Sequence, residues 1–276
     1  MLDSPRAPRV REAARLQQRA ARSETGLFLL EGPAALDEAV RFAPHLLVEV
    51  FWTAAAGERH GVLLDAAADH ARLTEVSDRA LAAIADTVRP QGVVAIARQA
   101  PVRLDDAVAR AAASQHPLVA ILHEVRDPGN LGTILRAADA AGASAVIVTA
   151  NSVDPYSPKV VRSTTGSLFH VDVAVGVSTA DAVDACRAQG MQVLAADVSG
   201  EELTELAADL ARPTAWLFGN EARGLDAAQL AMADQAARLP VYGQAESLNL
   251  ATAASVCLYQ SAFAQRGAGA GTTSAV

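Results

Sequence analysis

Leu118-Val119-Ala120-Ile121-Leu122 runs shortly afterwards into Asp127-Pro128-Gly129-Asn130-Leu131-Gly132-Thr133-Ile134-Leu135-Arg136. The first stretch is wholly apolar and of strand length, as expected of a strand covered on both faces. In the second, a turn at Asp127-Pro128-Gly129 leads into a helix, with Asn130 expected at its N-cap and Leu131, Ile134, Leu135 and Ala138 as its buried stripe. Gly142 ends that helix, and Ala145 to Thr149 reads as the next strand. The same strand–helix rhythm continues through Gln192 to Ala196 and Ala215 to Phe218, which predicts a mostly parallel sheet with right-handed crossovers.

Three polar or glycine-bearing segments fall where apolar strands give way to helices or loops. They are Asn130 to Arg136, then Leu217-Phe218-Gly219-Asn220-Glu221-Ala222-Arg223-Gly224-Leu225, then Leu239-Pro240 with Ser247-Leu248-Asn249-Leu250. Open α/β sheets bind ligands at such strand ends, so three turns predict one composite site. Each also has a plain structural reading. Asn130 and Ser247 are adequate helix caps, and Glu221 suits either a ligand's polar group or the cap of the next helix. Gly219 lets backbone approach a ligand. Arg136 stands among Leu135, Ala137 and Ala138, where a lone guanidinium calls for an anionic partner such as a phosphate.

Outward from this core, the amino-terminal half alternates too. Arg9 to Arg22 reads as an amphipathic helix, Leu27 to Leu30 as a strand, Ala34 to Phe42 as a helix, Leu46 to Trp52 as a strand, and Val93 to Ala97 as a closing strand. The chain has 276 residues, room for one large domain or two ordinary ones. Residues 1–99 are expected to form the first domain, 100–116 a linker, 117–265 the second, and 266–276 a disordered glycine-rich tail. The tail's glycines follow a helix and not a strand, which removes a dinucleotide-loop reading and with it a nucleotide-binding oxidoreductase.

The formal net charge is −8, yet the first 23 residues hold six arginines against Asp3 and Glu12. A basic arm on an acidic body is one way to bind polyanion locally, with Arg9, Arg11, Arg19 and Arg22 as the candidate contacts; a solvated helix face is the other reading. Lys159 is the sole lysine. Cys186 and Cys257 stand far apart, the histidines lack zinc-ligand spacing, and neither a signal peptide nor a spanning segment is present. No metal, no membrane association and a cytoplasmic location are therefore expected.

Taken in order, the three segments resemble the signature motifs of the SpoU/TrmH family of RNA ribose 2′-O-methyltransferases, in the SPOUT superfamily. The first match spans Asp127 to Val148, the second Leu217 to Leu225, the third Leu239 to Leu258. The amino-terminal half, with Phe28-Leu29-Leu30-Glu31-Gly32 and Pro90-Gln91-Gly92-Val93, resembles the small substrate-binding domain that many members carry. Two positions depart from the pattern: His123, where members often have an acidic residue, and Ala251, where a second serine is common.

The resemblance implies an α/β fold whose carboxy-terminal SPOUT-type parallel sheet carries a deep trefoil knot, preceded by a small α/β substrate-binding domain. It implies a homodimer with a shared active site and S-adenosyl-L-methionine as methyl donor. By motif position Gly219, Leu239 and Leu248 would contact the cofactor largely through backbone, together with Leu217 and Asn249. Arg136, Asn130, Glu221, Ser247 and Asn249 would form the catalytic set. Because guanidinium stays protonated, Arg136 is better suited to binding a neighbouring phosphate and stabilising a developing alkoxide than to acting as a base. Lys159 and Arg162, in a stretch that lies near the active site in relatives, become candidate RNA-phosphate contacts. The implied reaction is methylation of a ribose 2′-hydroxyl in structured RNA. The domain pairing favours 23S rRNA over transfer RNA as substrate; a transfer-RNA methyltransferase and a non-catalytic RNA-binding member of the fold are the alternatives.

Overall fold

A computed structural model describes residues 1–270, with side chains through Gly267. In chain order the elements of the first half are α1 (Pro8–Arg15), α2 (Arg19–Thr25), β1 (Leu27–Glu31), α3 (Pro33–Phe42), β2 (Leu47–Trp52), α4 (Ala54–Ala68), β3 (Arg72–Glu75), α5 (Asp78–Ile84) and β4 (Val93–Arg98). The second half contains α6 (Leu104–Ala112), β5 (Leu118–Leu122), α7 (Pro128–Ala141), β6 (Ala145–Thr149), α8 (Pro158–Thr164), β7 (Asp172–Val177) and α9 (Thr179–Ala188). It ends with β8 (Gln192–Glu202), α10 (Ala207–Leu210), β9 (Thr214–Phe218), α11 (Ala227–Leu230), β10 (Gln235–Arg238) and α12 (Leu250–Ala270).

Two compact units result: Met1–Ala100 with Asp154–His170, and Pro101–Val153 with Val171–Val276. The first unit is built on a mixed sheet of order β1-β4-β2-β3, in which β4 runs antiparallel to both β1 and β2 while β2 and β3 are parallel. Its core gathers Val10, Ala13 and Leu16 of the amino-terminal region with Phe51, Leu81, Ile84 and Val94.

The expected single helix over Arg9 to Arg22 is two helices. The break comes where the Gln17 amide donates to the carbonyl oxygens of Ile84 and Ala85, at 2.8 and 2.9 Å, and Gln18 turns extended. Arg22, expected among the RNA contacts, is 3% exposed. Its guanidinium donates to Asp154 at 2.7 and 2.8 Å and to the carbonyls of Leu16 and Gln17. A cation held this way is structural and unavailable to a phosphate. The same pairing ties Asp154, 132 residues away in sequence, to the first unit. Phe28 against Tyr156, ring centroids 5.0 Å apart, and the packing of α8 on β1 complete the attachment of 154–170. Arg22→Ala should therefore destabilise this unit by up to about 3–5 kcal/mol, the cost of stranding one partner of a fully buried ion pair, since Arg22 is buried and Asp154 part-buried. Chemical denaturation monitored by circular dichroism measures it, and Arg22→Lys, which keeps the charge but loses the fork, should fall between.

The second unit holds a six-stranded, wholly parallel sheet of order β10-β8-β9-β5-β6-β7. β5, β6 and β9 are buried along their whole lengths, as the unbroken apolar runs require. The stretch expected as a linker contains α6, which packs on β5, β6, β7 and α9, while the Val102 N–H donates to the Val173 carbonyl. α12 lies along α7 and is anchored by a hydrogen bond from the Trp216 indole to Ser261, 2.9 Å, and by Gln265 donating to the carbonyls of Pro117 and Arg212. The tail was expected to begin at residue 266, but α12 runs through Ala270; residues 271–276 of the expected disordered tail lie outside the described residues. Cys186 and Cys257 are buried, and burial pushes both thiols up to about 12. Among the described residues no helix is long and apolar enough to cross a membrane.

Candidate active site

The three polar turns meet through side chains at the carboxyl ends of β5 and β9 and the start of α12. Asp127, not Asn130, is the N-cap of α7: its Oδ1 accepts the Asn130 N–H at 2.8 Å, and Pro128 occupies the first helical position. That arrangement releases the Asn130 side chain. Its Nδ2 donates to Glu221 Oε1 at 3.2 Å, and its Oδ1 accepts from Asn249 Nδ2 at 2.9 Å. Glu221 caps no following helix. Its two oxygens accept the backbone N–H groups of Arg126 and Asp127, at 3.1 and 3.0 Å, and so pin the β5–α7 loop to the β9 turn.

Burial opposes ionisation of the Glu221 carboxyl, but hydrogen bonds from backbone N–H groups and from Asn130 outweigh it and hold its pKa below the usual glutamate value. Glu221 is thus a fixed anion at neutral pH. Asn249 has two tasks: its Oδ1 accepts the N–H groups of Ala251 and Thr252, capping α12, while its amide reaches Asn130. Ser247, expected as that cap, lies exposed in the irregular loop before it.

The β9 turn itself is held by Asn220, whose backbone exchanges hydrogen bonds with Gly224 and whose side chain donates to the Glu124 carbonyl at 2.7 Å. Gly219 serves this turn. A Cβ there would sit 2.4 Å from the Gly224 carbonyl carbon, so its lack of a side chain is used by the chain itself. Asn220 and Glu124 escaped the sequence reading. Glu124 adopts a positive φ of 47° and pairs with Arg223 at 2.7 Å; the Asn151 amide hydrogen bond, ahead of the charges of His123 and Arg223, holds its pKa low. Nothing in the local sequence marks this role, whereas Asp127 before Pro128 is a legible cap signal. His123 bonds Thr179 through Nδ1 at 2.7 Å and occupies a structural position at the end of β5.

Leu217 is a core residue: its side chain is fully buried and its backbone is laddered to β5 and β8, which leaves no side-chain surface for a ligand. Leu239 follows β10 directly and is half-buried; Leu248 is exposed. Among the described residues Arg136 shares no hydrogen bond or ion pair with the Asn130–Glu221–Asn249 cluster. It projects from the exposed stripe of α7 that also holds Thr133 and Ala140, and no ion pair engages it among the described residues. Of the basic residues expected to meet RNA, Arg9 pairs with Glu49, and Arg162 pairs with Glu31 and Asp86. Arg11, Arg19 and Lys159 are exposed.

The chemistry of this set suits a sulfonium cofactor. Between Leu239 and Asn249 the only charged side chain is Glu246, so a cationic donor meets no like charge from the loop. The irregular backbone supplies N–H and carbonyl groups free of ladder pairing, and Leu239, Pro240 and Leu248 are the apolar side chains that would hold an adenine ring there.

A parallel α/β unit that gathers a carboxylate and two amides at its strand ends, beside an irregular loop, has the place and the polar groups of an open-sheet ligand site. Residues 117–259 match the model of the SpoU rRNA methylase family and residues 7–95 that of the MRM3-like substrate binding domain. The chain belongs to the SpoU rRNA methylase family. It is 32% identical over 269 residues to the 23S rRNA (guanosine(2553)-2′-O)-methyltransferase RlmP of Bacillus subtilis, covering 94% of this chain and 97% of that protein. Among solved structures it resembles the AdoMet-bound SpoU methyltransferase AviRb of Streptomyces viridochromogenes, with a TM-score of 0.81, 29% identity and coverage of 95% and 100%. It also resembles an AdoMet-bound rRNA methyltransferase of Sinorhizobium meliloti, with a TM-score of 0.78, 32% identity and coverage of 94% and 96%.

Proposed function

We propose that this chain transfers a methyl group from S-adenosyl-L-methionine to a ribose 2′-hydroxyl of 23S rRNA. The observation that carries the reading is the Asn249–Asn130–Glu221 chain of hydrogen bonds, which fastens three motif turns into one strand-end site. When bound, the cofactor supplies an electrophilic methyl on a positively charged sulfur. The protein's part is to hold the 2′-oxygen in line with that methyl, which is worth several kcal/mol through positioning. Asn130, fixed by Glu221 and Asn249, has one amide proton left to donate and presents it to the ribose. Arg136 binds the adjacent phosphate and stabilises negative charge as it builds on the 2′-oxygen, whose proton leaves to water while the methyl–sulfur bond breaks and S-adenosyl-L-homocysteine departs.

Because Arg136 is exposed and bonds to no member of that cluster, the reading includes a homodimer in which Arg136 of one copy completes the site of the other. Supporting this, the exposed α7 stripe adjoins an apolar patch on α12. Tyr259 donates to the Ala140 carbonyl and packs on Phe263, which is 63% exposed, with Val256 one turn before. The deep trefoil knot belongs to the same proposal: after β10 at the sheet edge, the chain returns to pack α12 against α7, β5 and β9. The first unit is assigned to RNA recruitment, with exposed Arg11, Arg19 and Lys159 as phosphate contacts, and the protein to the cytoplasm.

Incubating the purified protein with methyl-labelled S-adenosyl-L-methionine and RNA from cells lacking it tests the reading. Nuclease digestion and mass spectrometry should find label as a 2′-O-methylnucleoside in 23S rRNA and none in transfer RNA. Label confined to transfer RNA, or to a base, overturns it.

A further inference from the structure

Within the first unit a cavity of about 270 Å³ opens between the start of α3, the loop from Thr87 to Val93 and the α8 helix. Its volume falls just below the roughly 300–1,000 Å³ of ordinary small-molecule sites, so it is sized for one small planar group and excludes a duplex. We propose that it captures a single unpaired nucleotide of the RNA substrate, an inference that rests on the methyltransferase reading above.

The walls divide by chemistry. Ala34, Ala35, Pro90 and Val161 provide an apolar surface against which a base can lie. Gln91 and Thr165 bring an amide and a hydroxyl that can meet a base edge. Arg89 is exposed at the rim and, among the described residues, has no ion pair, which leaves its guanidinium for a phosphate.

The anionic wall is neutralised from within the protein. Glu31 accepts hydrogen bonds from Asp86 N–H at 2.8 Å, Thr87 N–H at 3.2 Å and the Thr87 hydroxyl at 2.9 Å, and it pairs with Arg162 at 3.2 Å. These bonds also fix the loop that carries Arg89 and Gln91. Gly92 holds the loop's far end, with φ at +88° and its Cβ position blocked by Ala56 and Thr53. Thr165 is a β-branched residue in the left-handed region, φ 48°, a conformation that recurs at ligand sites. RNA-binding proteins read sequence chiefly from unstacked bases, by stacking and by hydrogen bonds to their edges, and this cavity supplies both.

The test uses the full-length protein and 23S rRNA isolated from cells that lack it. Ala34→Leu fills the mouth from an exposed helix position without altering charge; Arg89→Ala and Gln91→Ala remove one contact each. Each variant should raise KM for RNA roughly tenfold, the scale of one lost base or phosphate contact, with kcat and the Kd for S-adenosyl-L-methionine unchanged. Ultraviolet cross-linking of the wild-type complex should place an RNA adduct on the peptide containing Thr87 to Val93. If the wild type methylates the RNA while all three variants keep its KM, the cavity inference falls and the methyltransferase reading stands. If the wild type transfers no methyl group, filter binding of the same RNA still reads the cavity through the same variants. Competition by free mononucleotides that depends on Arg89, with RNA binding unaltered in the variants, would assign the cavity to a free nucleotide and overturn the proposal.

Discussion

Replacing Arg136 with alanine lowers methyl transfer about 10²–10³-fold, the cost of removing one preorganised donor from a developing oxyanion, while the Kd for S-adenosyl-L-methionine stays within about twofold. The separation follows from position. Arg136 is exposed on α7, outside the hydrogen-bonded cluster and outside the 239–249 loop, so its loss disturbs neither the turns nor the apolar contacts proposed for the cofactor. Isothermal titration for the cofactor and single-turnover kinetics for transfer measure the two halves. Arg136→Lys keeps the charge but lacks the planar fork, and it should recover only part of the rate. Mixing the Arg136→Ala chain with a chain inactivated at Glu221 adds a second readout. If one copy completes the other's site, mixed dimers contain one intact site and regain activity that neither parent shows. Failure to regain it in confirmed mixed dimers would place both residues in the same copy's site.

Replacing Glu221 is expected to cost about 10²-fold, the scale of misplacing reacting groups by about 1 Å. Glu221 accepts from the Arg126 and Asp127 N–H groups with separate oxygens and also takes the Asn130 amide proton. Glutamine offers only one accepting oxygen and would set its NH₂ against a backbone N–H, so Glu221→Gln should be nearly as damaging as Glu221→Ala. Retention of full activity by Glu221→Gln would show that the pinned loop plays no part in catalysis. The pH dependence has a definite sign. With its folded pKa lowered below the usual 4.5, Glu221 supplies its stabilisation above the unfolded glutamate value and loses it as pH falls through the lower folded one. Any acid limb in the rate profile above about pH 5 must then belong to another group.

Much of the second unit is legible from local pattern. The apolar run Leu118 to Leu122 and the helix stripe of Leu131, Ile134, Leu135 and Ala138 state the burial that the structure shows. What escaped depends on partners distant in sequence. Asn130 reads as a cap until Asp127 is seen to occupy that place; its true partners, Glu221 and Asn249, are 91 and 119 residues away. Arg22 looks like part of a basic arm because charge alone cannot reveal Asp154 as its counter-ion. The four-residue strand β10 has no apolar run to announce it: Gln235-Ala236-Ala237-Arg238 becomes a strand by pairing with β8. The attachment of α8 to the first unit is likewise invisible in a stretch that local pattern assigns to the second.

The most direct measurement is a map of ribose 2′-O-methylation across the ribosomal and transfer RNA of cells with and without this protein, with complementation by the wild type and by Arg136→Ala. The account predicts that one methyl group in 23S rRNA disappears with the protein, returns with the wild type and stays absent with Arg136→Ala. An unchanged 23S rRNA map, or restoration of the missing methyl group by Arg136→Ala, would contradict it.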